Sequence, residues 1–152
     1  MDQHELISFF IKFGLAAVIG MLIGLERSQG GEDNFKGHVR DFVIFSLVGA
    51  VSAFAAVEYA NAWLIAIGFI GVLVLQVSGY WAEHRLDNPD SGITTEAAAL
   101  ITFFLGVLVV RDAEELAIAI AIVVLLVLSE KSMIEKFSSQ IQRFELQAAL
   151  KL

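Results

Sequence analysis

Five stretches of this chain are apolar for 13 to 20 residues at a time, separated by short polar segments. They cover residues 6–25, 42–57, 62–79, 92–110 and 116–128, the last reaching 113–129 once its flanks are borrowed. About 20 helical residues cross the roughly 30 Å of hydrocarbon in a bilayer. The runs are continuous rather than alternating, so they do not describe the strands of a membrane barrel, and helices are the other structure that satisfies its backbone in lipid. Composition agrees: the chain is 57% hydrophobic and 18% charged, with mean hydropathy +0.74, against about 45–50% apolar and 25% charged for a soluble domain. The predicted fold is all-α: a polytopic membrane helical bundle of five transmembrane helices in a domain over 1–130. A C-terminal amphipathic helix follows over 131–152, where Ile134, Phe137, Ile141, Phe144 and Ala148 recur at steps of three and four.

The net charge of −7 is spread over acids in polar segments and specifies no cationic ligand. Ten Lys and Arg form no basic stripe, so nucleic acid is not an expected partner. There is no cysteine, hence no disulfide and no thiolate metal site. His4, His38 and His84 lack metal-ligand spacing. The start Met1-Asp-Gln-His-Glu5 is acidic, unlike the basic leader of a cleaved signal peptide, so the first helix is expected to be retained. No Ser/His/Asp order, Gly-rich phosphate loop or HExxH occurs, and an enzyme is not expected.

Within the runs, Ala16, Gly20 and Gly24 recur every four residues, a small-xxx-small stripe that lets a second helix approach closely. Gly68 and Gly71 read the same way. Lys12 lies near the start of the first run, where its amine can snorkel to the headgroups. Trp63 and Tyr80-Trp81 bracket the third run as interfacial aromatics do. Placing the N-terminus outside puts Arg27, Lys36, Arg40, Arg85, Lys131, Lys136, Arg143 and Lys151 on the inner side and only Lys12 and Arg111 outside. Eight against two follows the positive-inside rule; omitting the fifth span would leave four inside against six outside. The expected location is a cell inner membrane, multi-pass, N-terminus outside and C-terminus cytoplasmic.

That topology brings the charged helix ends together on the cytoplasmic face. Gly20-Met-Leu-Ile-Gly24-Leu25-Glu26-Arg27 ends the first run, Arg40-Asp41 opens the second, and Thr94-Thr95-Glu96 opens the fourth as a helix turn with hydroxyl caps and an acid. An ionisable residue at the depth of Glu96 ordinarily faces the bundle interior and has a partner, for which Arg27 and Arg40 are nearest. The candidate ligand or ion-pair site is therefore Glu26, Arg27, Arg40, Asp41, Thr94, Thr95 and Glu96. Glu26, Asp41 and Glu96 could supply oxygen to a metal, Mg²⁺ being the hard cation that keeps several waters beside one or two carboxylates. The two arginines suit a salt-bridge network or a phosphate or carboxylate ligand equally well. No other cofactor is expected.

These motifs resemble the MgtC/SapB membrane family. Gly20-xxx-Gly24-Leu-Glu-Arg27 is similar to its first-span GxxxGLER, Arg40 to the arginine at the mouth of its second span, Ile67-Gly68-Phe-Ile-Gly71 to its glycine-rich third span, and Ser91-Gly-Ile-Thr-Thr95 to the Gly-Leu-Thr-Thr that opens its fourth. The likeness covers roughly 14–110. Asp41 stands where the family has threonine, His38-Val39 where it has Gly-Leu, and Glu96 where many members have alanine. Glu96 with Ala97-Ala98-Ala99 looks like a subgroup whose membrane unit precedes a second membrane domain, so this unit is expected either to stand alone as a half or to have a partner chain supply the rest. The resemblance implies magnesium homeostasis, survival inside host cells, and control of other membrane machines such as ATP synthase. Two functions are expected from it: a divalent-cation-linked transport or homeostasis protein, or a non-transporting module that regulates or assembles with another membrane protein. A homodimer or a partner membrane protein, within a lipid bilayer, is the expected assembly.

Overall fold

The computed structural model describes residues 3–28, 35–84 and 93–129, excepting the side chains of 35–38, 80, 82–84, 93 and 94. It is all-helical, with five helices and no strand among the described residues: α1 Gln3–Ser28, α2 Phe35–Glu58, α3 Trp63–His84, α4 Ile93–Val110, and α5, described over 114–129. The amphipathic helix expected over 131–152 lies outside the described residues.

Two boundaries differ from the sequence reading. The helix α2 begins at Phe35, not at residue 42, so Arg40 and Asp41 sit inside it rather than opening it. Gly37 lies within this first stretch, but one glycine in a helix costs only about 1 kcal/mol relative to alanine, and burying Phe42 at 2% exposure offsets that. At the other end of the pair, α3 runs on to His84, past the end of its apolar run at residue 79.

The turns α2–α3 and α4–α5 use the same chemistry. Ala60 and Asp112 adopt left-handed φ of 47° and 59°. The amides that follow them reach back five residues, Asn61 N to Ala56 O at 3.0 Å and Ala113 N to Leu108 O at 3.1 Å. This is a Schellman-type ending, in which a left-handed residue satisfies carbonyls the helix leaves open. Asn61 then starts α3, its Oδ1 accepting from the amide of Trp63 at 3.1 Å. Both turns and the start of α1 lie at one end of the bundle, the turn end; the end of α1 and the start of α4 meet at the other.

Small residues face inward and large ones outward. Ala16, Ala50, Ala53, Ala98, Ala99 and Ala117 are buried, while Ile7, Phe10, Ile11, Val51, Ile67, Ile70, Val74 and Val127 are exposed. That inversion suits a lipid surround, where close backbone packing rather than apolar burial joins helices. Two helices, Gln3–Ser28 and Val39–Glu58, are long and apolar enough to cross a membrane; Trp63–Gly79 and Thr95–Val110 are shorter apolar helices. Helix α2 packs on α1, α3 and α4, and α1 packs on α4. At Gly20, an added Cβ would stand 2.6 Å from the Phe42 carbonyl oxygen of α2. At Gly49 it would strike the carbonyl of Phe103, and at Gly106 that of Ser46, so α2 and α4 touch backbone to backbone. The same Ser46 donates its hydroxyl to Ala16 O of α1 at 2.7 Å, joining all three helices at one buried residue.

Candidate functional site

At the end where α1 finishes and α4 starts, Arg27 Nη2 donates to Thr95 Oγ1 in a part-buried hydrogen bond. The last turn of the GLER motif and the first turn of α4 are thus joined side chain to side chain, across 68 residues of sequence. Thr95 lies two residues into α4 and its hydroxyl oxygen accepts from Arg27, where the sequence suggested a cap. Glu96, the next residue, is half-buried with its Oε2 shut off from solvent. Its carboxylate also lies in the first turn of α4, where the helix's free amides favour negative charge. Glu26 is half-buried beside Arg27. Below them, Ser28 is buried and its hydroxyl is turned back on Leu25 O at 2.7 Å.

The second pair behaves differently. Arg40 Nε lies 3.5 Å from Asp41 Oδ1, and their side chains are 75% and 49% exposed. An adjacent, solvated pair of this kind contributes little to stability. Its exposure follows from the early start of α2: Phe42 takes the inward position, and Arg40, two residues before it, turns outward. Thr94 lies in the first turn of α4, with its side chain outside the described residues. The structure therefore joins Arg27 to Thr95, with Glu96 the next residue along α4, and places Arg40 and Asp41 on the surface of α2.

For a metal, the carboxylates do not assemble. Among the described residues no three His, Asp or Glu side chains come together as a metal-binding set, so Glu26, Asp41 and Glu96 form no such cluster. The guanidinium on Thr95, next in sequence to Glu96, further opposes a cation there. The three acids named from the sequence therefore do not form a joint site among the described residues.

The packing residues divide as well. Ala16, Gly20 and Gly24 are buried in α1, and Gly68 meets Ser52 Oγ of α2 and the Phe103 ring. Gly71 has nothing within 4 Å, so it is not a packing residue of this bundle. Gly49 and Gly106, which make the tightest backbone contacts between α2 and α4, are not announced by the sequence. Neither stands in a GxxxG repeat, and a single glycine reveals its partner only when the facing helix is known.

Lys12 reaches the exposed turn between α4 and α5. Its Nζ donates to Asp112 Oδ1 at 2.5 Å and lies 3.9 Å from Glu114, with the lysine side chain only 18% exposed. The Asp112 carboxyl is held below the ordinary carboxylate range, first by that hydrogen bond and then by the lysine's charge. Around the pair, His4, Glu5, Phe9, Phe13, Phe54, Val57 and Arg111 line an open cleft of about 640 Å³.

Outward aliphatics, inward alanines and glycines, and a charged junction closing one end define a helical membrane protein. The chain belongs to the MgtC family, which it matches over residues 13–137. With membership comes the family's link to Mg²⁺ homeostasis. No curated protein and no solved structure matches the chain.

Proposed function

We propose that this protein is a regulatory module of the bacterial inner membrane that serves Mg²⁺ homeostasis without conducting the ion and without catalysing a reaction. It acts as a homodimer or on a partner membrane protein, with all five helices spanning, the N-terminus outside and the Arg27–Thr95 junction at the cytoplasmic face. The observation that carries this reading is the α1–α2–α4 seam. Gly20, Gly49 and Gly106 bring the three backbones so close that not even a methyl group fits, which leaves no room for a hydrated cation between them. Aromatic residues support the spanning arrangement. Trp63 and Trp81, both exposed, stand 18 residues apart on α3, about 27 Å along its axis and close to the thickness of the hydrocarbon.

Arg27, Thr95 and Glu96 form the polar end through which a partner or an anionic ligand is recognised, Arg27 supplying a planar fork of donors. A strain lacking the protein tests the reading. Wild type is expected to restore growth in low Mg²⁺ while leaving the initial rate of Mg²⁺ uptake unchanged, and Arg27→Ala is expected to restore neither growth nor partner association. Restoration that scales with a rise in uptake rate would count for the transport reading instead.

A further inference from the structure

The cleft at the turn end plays no part in the function just described. It is bounded by the first turns of α1 and the last turns of α2 and α4. From His4 to Phe13 it follows α1 for nine residues, about 14 Å, the depth from headgroup to upper acyl chain. Its floor is aromatic. Phe9 stacks on Phe13 with centroids 4.3 Å apart, and Phe54 meets Phe9 edge-on at 5.2 Å. Phe54 and Val57 are 38% and 58% exposed, so the floor is continuous with the apolar surface outside rather than sealed within the protein.

The rim is charged and balanced. Lys12 and Arg111 supply two cations, Glu5 and Asp112 two anions. Lys12 is bonded to Asp112, and Arg111, exposed beside it, adds a second positive charge that acts on the same carboxylate. An exposed guanidinium at the lip of an apolar cleft is suited to a phosphate, and a carboxylate beside it can accept a further bond from an ammonium. A volume of about 640 Å³ is within the range of small-ligand sites. A ligand matching floor and rim together has an apolar chain and a head of separated opposite charges.

We propose that this cleft binds a zwitterionic phospholipid of the surrounding leaflet, its acyl chain over Phe9, Phe13 and Phe54, its phosphate on Arg111 and its amine toward Asp112 and Glu5. The lipid would fasten the start of α1 to the α4–α5 turn beside the Lys12–Asp112 pair.

The test uses the full chain in nanodiscs of mixed phosphatidylethanolamine and phosphatidylglycerol, extracted into detergent and weighed by native mass spectrometry. One retained phosphatidylethanolamine is expected, with Arg111→Gln and Val57→Asp each lowering retention about tenfold, the loss of roughly one charge-assisted or apolar contact. Both positions are exposed, and helical content by circular dichroism checks that they fold. Independently of any variant, a phosphatidylethanolamine with a photoreactive acyl chain is expected to cross-link wild-type peptides containing Phe9, Phe13 or Phe54. Equal retention of both lipids, equal retention by wild type and variants, or cross-links elsewhere would overturn the proposal. So would retention of inorganic phosphate with no lipid, which would make the rim a free-anion site.

Discussion

Gly106 and Gly71 show how differently the same residue type can act in one bundle. A Cβ at Gly106 runs into the backbone carbonyl of Ser46, which cannot rotate away, while one at Gly71 meets nothing. We expect Gly106→Ala to destabilise the protein by about 1–3 kcal/mol, the usual cost of overpacking, and Gly71→Ala to be neutral or stabilising by up to about 1 kcal/mol, what glycine costs in a helix. Denaturation in mixed micelles measures both, and equal effects would mean that α2 and α4 are not in backbone contact. At the junction, Thr95→Val removes the acceptor for Arg27 and leaves a part-buried guanidinium short of a partner. The expected loss is about 1–3 kcal/mol, which Thr95→Ser should largely restore by returning the hydroxyl. At this scale the sequence was informative where residues repeat: Ala16, Gly20 and Gly24 announced their face by spacing. It was silent at Gly106, because what that glycine touches belongs to another helix.

Among the elements, α1 is fastened at both ends. Lys12 holds the α4–α5 turn and Arg27 holds the start of α4, 15 residues or about 22 Å away along the axis. The Lys12–Asp112 link has a definite pH signature. Asp112 has a folded pKa below its unfolded value, so the stabilisation is fully present above the unfolded value of about 3.9 and is lost as pH falls through the lowered folded one. Spin labels at Gln3 and Ala113 are expected to keep their separation from neutrality down to about pH 4 and to drift apart below it. In Asp112→Asn the separation should be independent of pH throughout this acid range. High salt should weaken the wild-type link, since Asp112 is exposed and open to screening. Helix number and order were legible from the apolar runs, and the meeting of the first and fourth runs followed from topology. The start of α2 was not legible, because its first two turns are polar in sequence and helical by continuity with the buried segment that begins at Phe42. The lysine's partner was hidden for a different reason: Lys12 and Asp112 are separated by 100 residues.

For the whole molecule, the proposed topology and the absence of a conduit are separate claims with separate tests. The chain contains no cysteine, so single substitutions report cleanly. Asn61→Cys at the turn end should react with an impermeant maleimide in intact cells, and Asp41→Cys only after permeabilisation; the reverse pattern would invert the protein. The family was legible from three ordered motifs, but its role was not, since the charged residues that suggested a cation site are divided between an interior junction and the outer surface of α2. Whether the bundle conducts is settled most directly by Mg²⁺ entry into proteoliposomes loaded with a Mg²⁺-sensitive dye. Vesicles carrying the purified protein are predicted to fill no faster than protein-free ones under an imposed gradient. Influx well above that background, abolished by Glu96→Gln, would contradict the account and make this protein a transporter.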